Sequence, residues 1–84
     1  MNNKYQCPCC GCYTYPVPPK NDCGYICQVC FWENDPFISG DVDPSCSNHG
    51  ITLKEGRDNY KMFGACEIEM VKYVRPPREE EVNH

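Results

Sequence analysis

Four of the nine cysteines in this 84-residue chain have a spacing that suits metal chemistry. Cys7 and Cys10 close one Cys-x-x-Cys turn, Cys27 and Cys30 close another, and sixteen residues lie between Cys10 and Cys27. That gap falls within the roughly 15 to 20 residues that separate paired turns in zinc sites. One such turn sets two thiolates about a tetrahedral edge apart, and a second turn supplies the opposite edge. Cys7, Cys10, Cys27 and Cys30 are therefore the candidate ligands of a single Zn²⁺.

The other thiols leave alternatives open. Cys9 and Cys12 also form a Cys-x-x-Cys pair, but only fourteen residues separate Cys12 from Cys27, just outside the window. That register also loses the placements of Pro8 and Gly11. A second site could draw on Cys9, Cys12 and Cys23, with Cys46, Cys66 or His49. Against it stands the plainer reading that these cysteines are small apolar fillers or free surface thiols.

Length and composition explain why a metal would be needed. A single domain of this size buries only about 60% of its unfolded surface, and such domains often add a disulfide, a metal or a partner. The opening Met1–Gln6 stretch has no apolar run resembling a signal peptide, and no later segment could span a membrane. The expectation is a cytoplasmic protein, whose thiols would bind metal rather than form structural bridges. The odd cysteine count also leaves one thiol without an intrachain disulfide partner.

Charge argues against nucleic acid as a partner. The formal net charge is −4, and four thiolates around one Zn²⁺ would take it to roughly −6. Nucleic-acid binders present a basic patch, whereas Lys4, Lys20, Lys54, Arg57, Lys61, Lys72, Arg75 and Arg78 are scattered. A protein partner is expected instead, met through the aromatic set Tyr5, Tyr13, Tyr15, Tyr25, Phe31, Trp32 and Phe37.

The elements that must position the sulfurs can be read in order. Residues 5–32 read as a zinc ribbon: knuckle, strand Tyr13-Thr14-Tyr15, a loop over 16–22, strand Gly24-Tyr25-Ile26, knuckle. Pro8 fixes φ in the first turn, and Gly11 can take the left-handed conformation just past the second ligand. Phe31 stands at the equivalent place in the second knuckle, where φ > 0 is penalised for a bulky residue. Either the turn after Cys30 differs from the first, or packing of Phe31 and Trp32 against the ribbon holds it there; the second is favoured.

Residues 33–51 form an irregular acidic loop. Residues 52–75 carry two helices. Thr52 and Glu55 make a capping box, and Leu53, Tyr60 and Phe63 share one face of a helix reaching about Gly64. Gly56 weakens that helix by about 1 kcal/mol relative to Ala, which implies close packing or simple tolerance. The second helix runs from about Cys66 with Ile68, Val71 and Val74 spaced by three, and Arg75-Pro76-Pro77 ends it. Residues 76–84 read as a frayed tail. The expected fold class is thus a small metal-stabilised α+β domain, an N-terminal zinc-ribbon β-hairpin with two C-terminal helices, occupying 1–84.

Several of these stretches together resemble the small bacterial cysteine-rich proteins named for their CPCC motif. They are Cys7-Pro8-Cys9-Cys10-Gly11, Tyr25 to Asp35, Gly50-Ile51-Thr52-Leu53, Arg57-Asp58-Asn59-Tyr60, Phe63-Gly64-Ala65 and Tyr73-Val74-Arg75-Pro76-Pro77. The resemblance covers almost the whole chain and implies an intracellular bacterial domain with a metal site, but no established activity. Cys12, Cys23, Cys46 and Cys66 stand as additions to that pattern. The first knuckle also resembles rubredoxin's, which makes iron the alternative metal.

Three functions follow as expectations. The first is a structural zinc protein acting through a protein partner. The second is a metal-dependent hydrolase using Glu33, Asp35, Asp41, Asp43 and His49 in or beside the acidic loop, although no nucleophile–base pair or phosphate-cradling glycine run accompanies them. The third is a rubredoxin-like electron carrier, which would require iron and sets Phe31 where rubredoxin's second knuckle carries a glycine. A dithiol redox role lacks the thioredoxin-like βαβ context.

Overall fold

A computed structural model describes residues 4–21 and 23–82 of the chain. The loop residue at 22 and the end of the tail, 83–84, lie outside the described residues, as do 1–3. The described part is an α+β domain: an N-terminal antiparallel hairpin, a cysteine cluster, and helices in the C-terminal half.

Strand β1, Tyr5–Gln6, pairs antiparallel with β2, Tyr13–Tyr15, with Tyr5 opposite Tyr15 and Gln6 opposite Tyr13. The first Cys-x-x-Cys turn is the loop of this hairpin. The second knuckle repeats the plan, with Ile26 bridged antiparallel to Glu33 and Asn34 N–H donating to Tyr25 O at 2.8 Å. This corrects the ribbon expected from sequence, in which Tyr13-Thr14-Tyr15 would pair with Gly24-Tyr25-Ile26. Each knuckle instead closes its own hairpin, because a tight turn brings its flanking residues into register sooner than a long proline-rich loop can. Tyr25 still reaches β2 by its side chain: its hydroxyl donates to Thr14 O at 3.0 Å, and its ring meets Tyr15 edge-on at 4.9 Å.

Helix α1, Leu53–Phe63, has the expected boundaries. Thr52 Oγ1 accepts from Glu55 N–H at 3.1 Å, and Glu55 Oε1 accepts from Thr52 N–H at 2.8 Å. Gly64 ends the helix in the left-handed conformation, φ 86°, with its N–H on Tyr60 O. Gly56 is present because of close packing: a Cβ there would lie 3.2 Å from both Cys9 Sγ and the Trp32 ring. The helix axis can therefore approach the core more closely than alanine would allow.

The expected second helix is a 3₁₀ helix, Ile68–Tyr73. Spacing by three suits that geometry, since i and i+3 eclipse in it, and the stripe turns outward: Ile68 and Val71 are exposed. Ala65 and Cys66 are buried instead. The tail expected to fray carries a short helix, α2, Glu79–Val82. Both Glu81 carboxylate oxygens take Arg75 guanidinium N–H groups at 2.9 Å, and Arg78 N–H donates to Oε1 at 2.8 Å. That fork-to-fork pair holds the segment against the domain, and the guanidinium keeps the Glu81 carboxyl down at about 2.

The acidic loop is irregular but pinned. Buried Asn48 bridges back to the backbone just after the second knuckle: Glu33 N–H donates to its Oδ1 and its Nδ2 donates to Glu33 O, both at 2.8 Å. Ser45, fully buried, accepts from Asn48 Nδ2 and donates to Asp35 Oδ2 at 2.7 Å.

The core is unusual in its chemistry. Trp32, Tyr15, Val29 and Leu53 share it with Cys7, Cys9, Cys12, Cys27, Cys30 and Cys66, with Cys10 packed against them. Among the described residues, no helix is long and apolar enough to cross a membrane.

Candidate metal centre

The two knuckles are built from the same local bonds. In the first, Cys7 N–H donates to Cys12 O at 2.8 Å and Gly11 N–H to Cys7 O at 2.9 Å. In the second, Cys27 N–H donates to Trp32 O at 3.0 Å and Phe31 N–H to Cys27 O at 2.8 Å. The backbone after the second ligand is left-handed in both, φ 79° at Gly11 and φ 70° at Phe31. Phe31 bears that strain because its ring stacks on Tyr73, centroids 5.4 Å apart at 29°, and Trp32 beside it is buried.

The hairpins face each other across their turns, and this brings together the four cysteines singled out by spacing. The Sγ atoms of Cys7, Cys10, Cys27 and Cys30 all lie within 4.8 Å of one another. Cys7 to Cys30 is 3.6 Å and Cys10 to Cys27 is 3.7 Å. Zinc–sulfur bonds of about 2.3 Å in a tetrahedron require sulfur–sulfur edges of about 3.8 Å, so the four are positioned to bind a metal ion. Among the described residues, no other group of three or more His, Cys, Asp or Glu side chains converges in this way.

Electrostatics also favour a cation. Hydrogen bonds from Cys10, then Cys30, lower the Cys27 thiol below its ordinary value, and Cys10 likewise lowers Cys7. Cys10 is raised by its hydrogen bond with Cys27, and Cys30 by those with Cys10 and Cys27. On their own, the sulfurs can only share protons unevenly. Four thiolates become compatible with this burial only around a positive ion, and binding would expel the remaining protons.

Two polar groups around the sulfurs fit such an ion. Thr14, buried, sets its hydroxyl 3.1 Å from Cys27 Sγ, where it can donate to a thiolate. The Tyr15 hydroxyl is buried and has no hydrogen-bond partner among the described residues. Burial raises its pKa first and the Cys7 thiol next, so the hydroxyl lies near that sulfur. From sequence, Tyr13-Thr14-Tyr15 reads as a strand whose two tyrosines belong to the aromatic set expected to meet a partner. The alternation of side chains gave no sign that both Thr14 and Tyr15 would be buried there.

The remaining candidates are placed as follows. Cys9, Cys12 and Cys66 are buried core residues outside the four-sulfur group, and Cys23 and Cys46 are exposed. Burial raises Cys12, and it pushes Cys66 up to about 12, so both sit as neutral fillers. The acidic-loop residues do not converge. Asp35 accepts from Phe37 N–H and Ser45, Asp43 from Ser39, and Asp41 from Arg57. Glu33 and His49 border one surface pocket without forming a ligand group, and His49 Nδ1 lies 2.6 Å from Glu67 Oε1, which raises its pKa. Of the aromatic set, Tyr15 and Trp32 are core, Tyr5 and Phe37 are exposed, and Tyr13, Tyr25 and Phe31 are half-buried.

Neither a curated protein nor a solved structure matches this chain. The family model described as Cysteine-rich CPCC matches residues 5–81, nearly the full length, and the chain belongs to that family.

Proposed function

We propose that this protein is a structural zinc-binding module of the cytoplasm that acts through a protein partner. The observation that carries the reading is the set of four sulfurs, drawn from two hairpins, with separations close to tetrahedral edges. Four protein thiolates fill a zinc coordination sphere and leave no open position for substrate, which is the pattern of structural rather than catalytic zinc. The sulfurs also lie where the two hairpins meet, so an ion there would tie together segments that share few strand bonds.

A groove over the second knuckle, lined in part by Ile26, Phe31, Tyr73 and Val74, supports the partner reading. Nucleic acid is not the expected partner of a chain with net charge −4.

Iron in the same site, with electron transfer as the role, is the second reading. One observation favours it: Phe31 adopts the left-handed backbone that a glycine would supply, so the second knuckle keeps the shape of the first. The hydrolase reading needs a second metal held by oxygen ligands, and no observation on the loop favours it.

Native mass spectrometry with elemental analysis, on protein grown without added metal, tests the assignment. One zinc per chain in a colourless sample without turnover is expected. A coloured, iron-loaded sample would replace zinc with the carrier, and a metal-free folded chain would overturn both.

A further inference from the structure

The four sulfurs are not equivalent, and the asymmetry points to a modification site. Cys7, Cys27 and Cys30 are 1% exposed or less, whereas Cys10 is only half-buried. The hydrogen-bond donors found at these sulfurs among the described residues, thiols aside, fall on Cys7 and Cys27. Cys9 N–H approaches Cys7 Sγ at 3.4 Å and the Thr14 hydroxyl approaches Cys27 Sγ at 3.1 Å. The cause lies in the fold: Cys66 N–H donates to Cys30 O at 2.7 Å and lays the chain across the second knuckle. The first knuckle meets helix α1 through Arg57, which donates to Pro8 O at 2.9 Å, and through Cys9 against Gly56, while Cys10 stays half-buried.

A thiolate is the nucleophilic form of cysteine. Hydrogen-bond donors draw charge from a ligand sulfur and tune the site, and access decides which sulfur an incoming reagent meets. Taking Cys7, Cys10, Cys27 and Cys30 as the metal ligands, we propose that Cys10 is the site at which soft α,β-unsaturated carbonyl electrophiles modify this protein and cause it to release its metal. In the step, the Cys10 sulfur adds its electron pair to the β-carbon of the double bond. The carbon–carbon π bond opens, and the α-carbon takes a proton from water. The product is a neutral thioether, a far weaker ligand than the thiolate it replaces, so one ligand of the four is lost with each adduct.

The test uses the metal-loaded full chain and N-ethylmaleimide, read by peptide mass spectrometry and by a chromogenic chelator that reports freed metal. Cys23 and Cys46, exposed and outside the site, should react first without metal release. Cys10 should follow, with metal appearing in step with its adduct and ahead of adducts on Cys7, Cys27, Cys30, Cys9, Cys12 or Cys66. Replacing the sulfur by an imidazole, Cys10→His, should keep metal bound and slow maleimide-driven release about tenfold or more, since a neutral ring is a poor nucleophile. Adducts on another ligand before Cys10, release that precedes any ligand adduct, or unchanged release from Cys10→His would each overturn the proposal. A starting protein that elemental analysis finds metal-free would instead overturn the ligand assignment on which it rests.

Discussion

The two knuckles share a backbone and differ in what surrounds it. Both make the same pair of turn hydrogen bonds, and both pass through a left-handed residue after the second cysteine. The first uses Gly11, which has nothing within 4 Å of where a Cβ would stand. The second uses Phe31 and meets its conformational cost with the Tyr73 stack and the burial of Trp32. One turn is stable through its own chemistry, the other through tertiary packing. The C-terminal half packs on both knuckles, with Gly56 of α1 against Cys9 of the first and Trp32 of the second, but only the second depends on it for its turn conformation.

The strongest way to break the comparison is to remove what both knuckles hold in common. Cys27→Ser should abolish metal binding and the cooperative melt, because structural zinc contributes on the order of 10–16 kcal/mol, more than the net stability of most small domains. Calorimetry that still finds a cooperative transition in this variant would show that the hairpins stand without the site.

Next in size is the packing behind the knuckles. Gly56→Ala gains about 1 kcal/mol of helix propensity but sets a methyl 3.2 Å from Cys9 Sγ and the Trp32 ring. Overpacking of this kind costs about 1–3 kcal/mol. The expected net is a loss of stability in denaturant titration, the opposite of what propensity alone predicts.

Substitutions at the left-handed positions sharpen the contrast directly. Gly11→Ala should cost about 1–2 kcal/mol, since only backbone strain changes there. Phe31→Gly should come out within about 1 kcal/mol of neutral, because relief of strain offsets the lost ring stack, worth about 0.5–1.5 kcal/mol. A clear gain of stability in Phe31→Gly, from strain relief with nothing lost, would mean that Phe31 is not held by Tyr73.

The smallest effect concerns the surface link between the loop and the 3₁₀ helix. Glu67 raises the His49 pKa above its ordinary 6.5. The folded form therefore binds a proton more tightly than the unfolded chain does. Its contribution is fully present below pH 6.5 and fades as pH rises through the higher folded value. The His49 ring should titrate above 6.5 in an NMR experiment and return toward that value in Glu67→Gln.

Much of the site could be read from the sequence because it depends on local chemistry. Two Cys-x-x-Cys turns at zinc spacing name their four sulfurs without reference to the rest of the fold, and Thr52, Glu55 and Gly64 mark helix ends through bonds only a few residues long. What escaped was set by contacts distant in sequence. Strand partners depend on which of two possible hairpins the chain forms, and Tyr13–Tyr15 pairs with Tyr5–Gln6. Asn48 and Glu81 looked like loop and tail residues, yet each is buried because a partner waits for it, the Glu33 backbone for one and Arg75 for the other. Thr14 meets a sulfur, Cys27, that lies across on the second hairpin, a contact distant in sequence.

The central claim is that one cation, gripped by four thiolates, holds two small hairpins together in place of a larger core. Thermal melting of the metal-loaded protein, before and after removal of the ion by a strong chelator under reducing conditions, tests it most directly. The cooperative transition should vanish on chelation and return when zinc is added back. An unchanged melting temperature in the stripped protein would contradict the account.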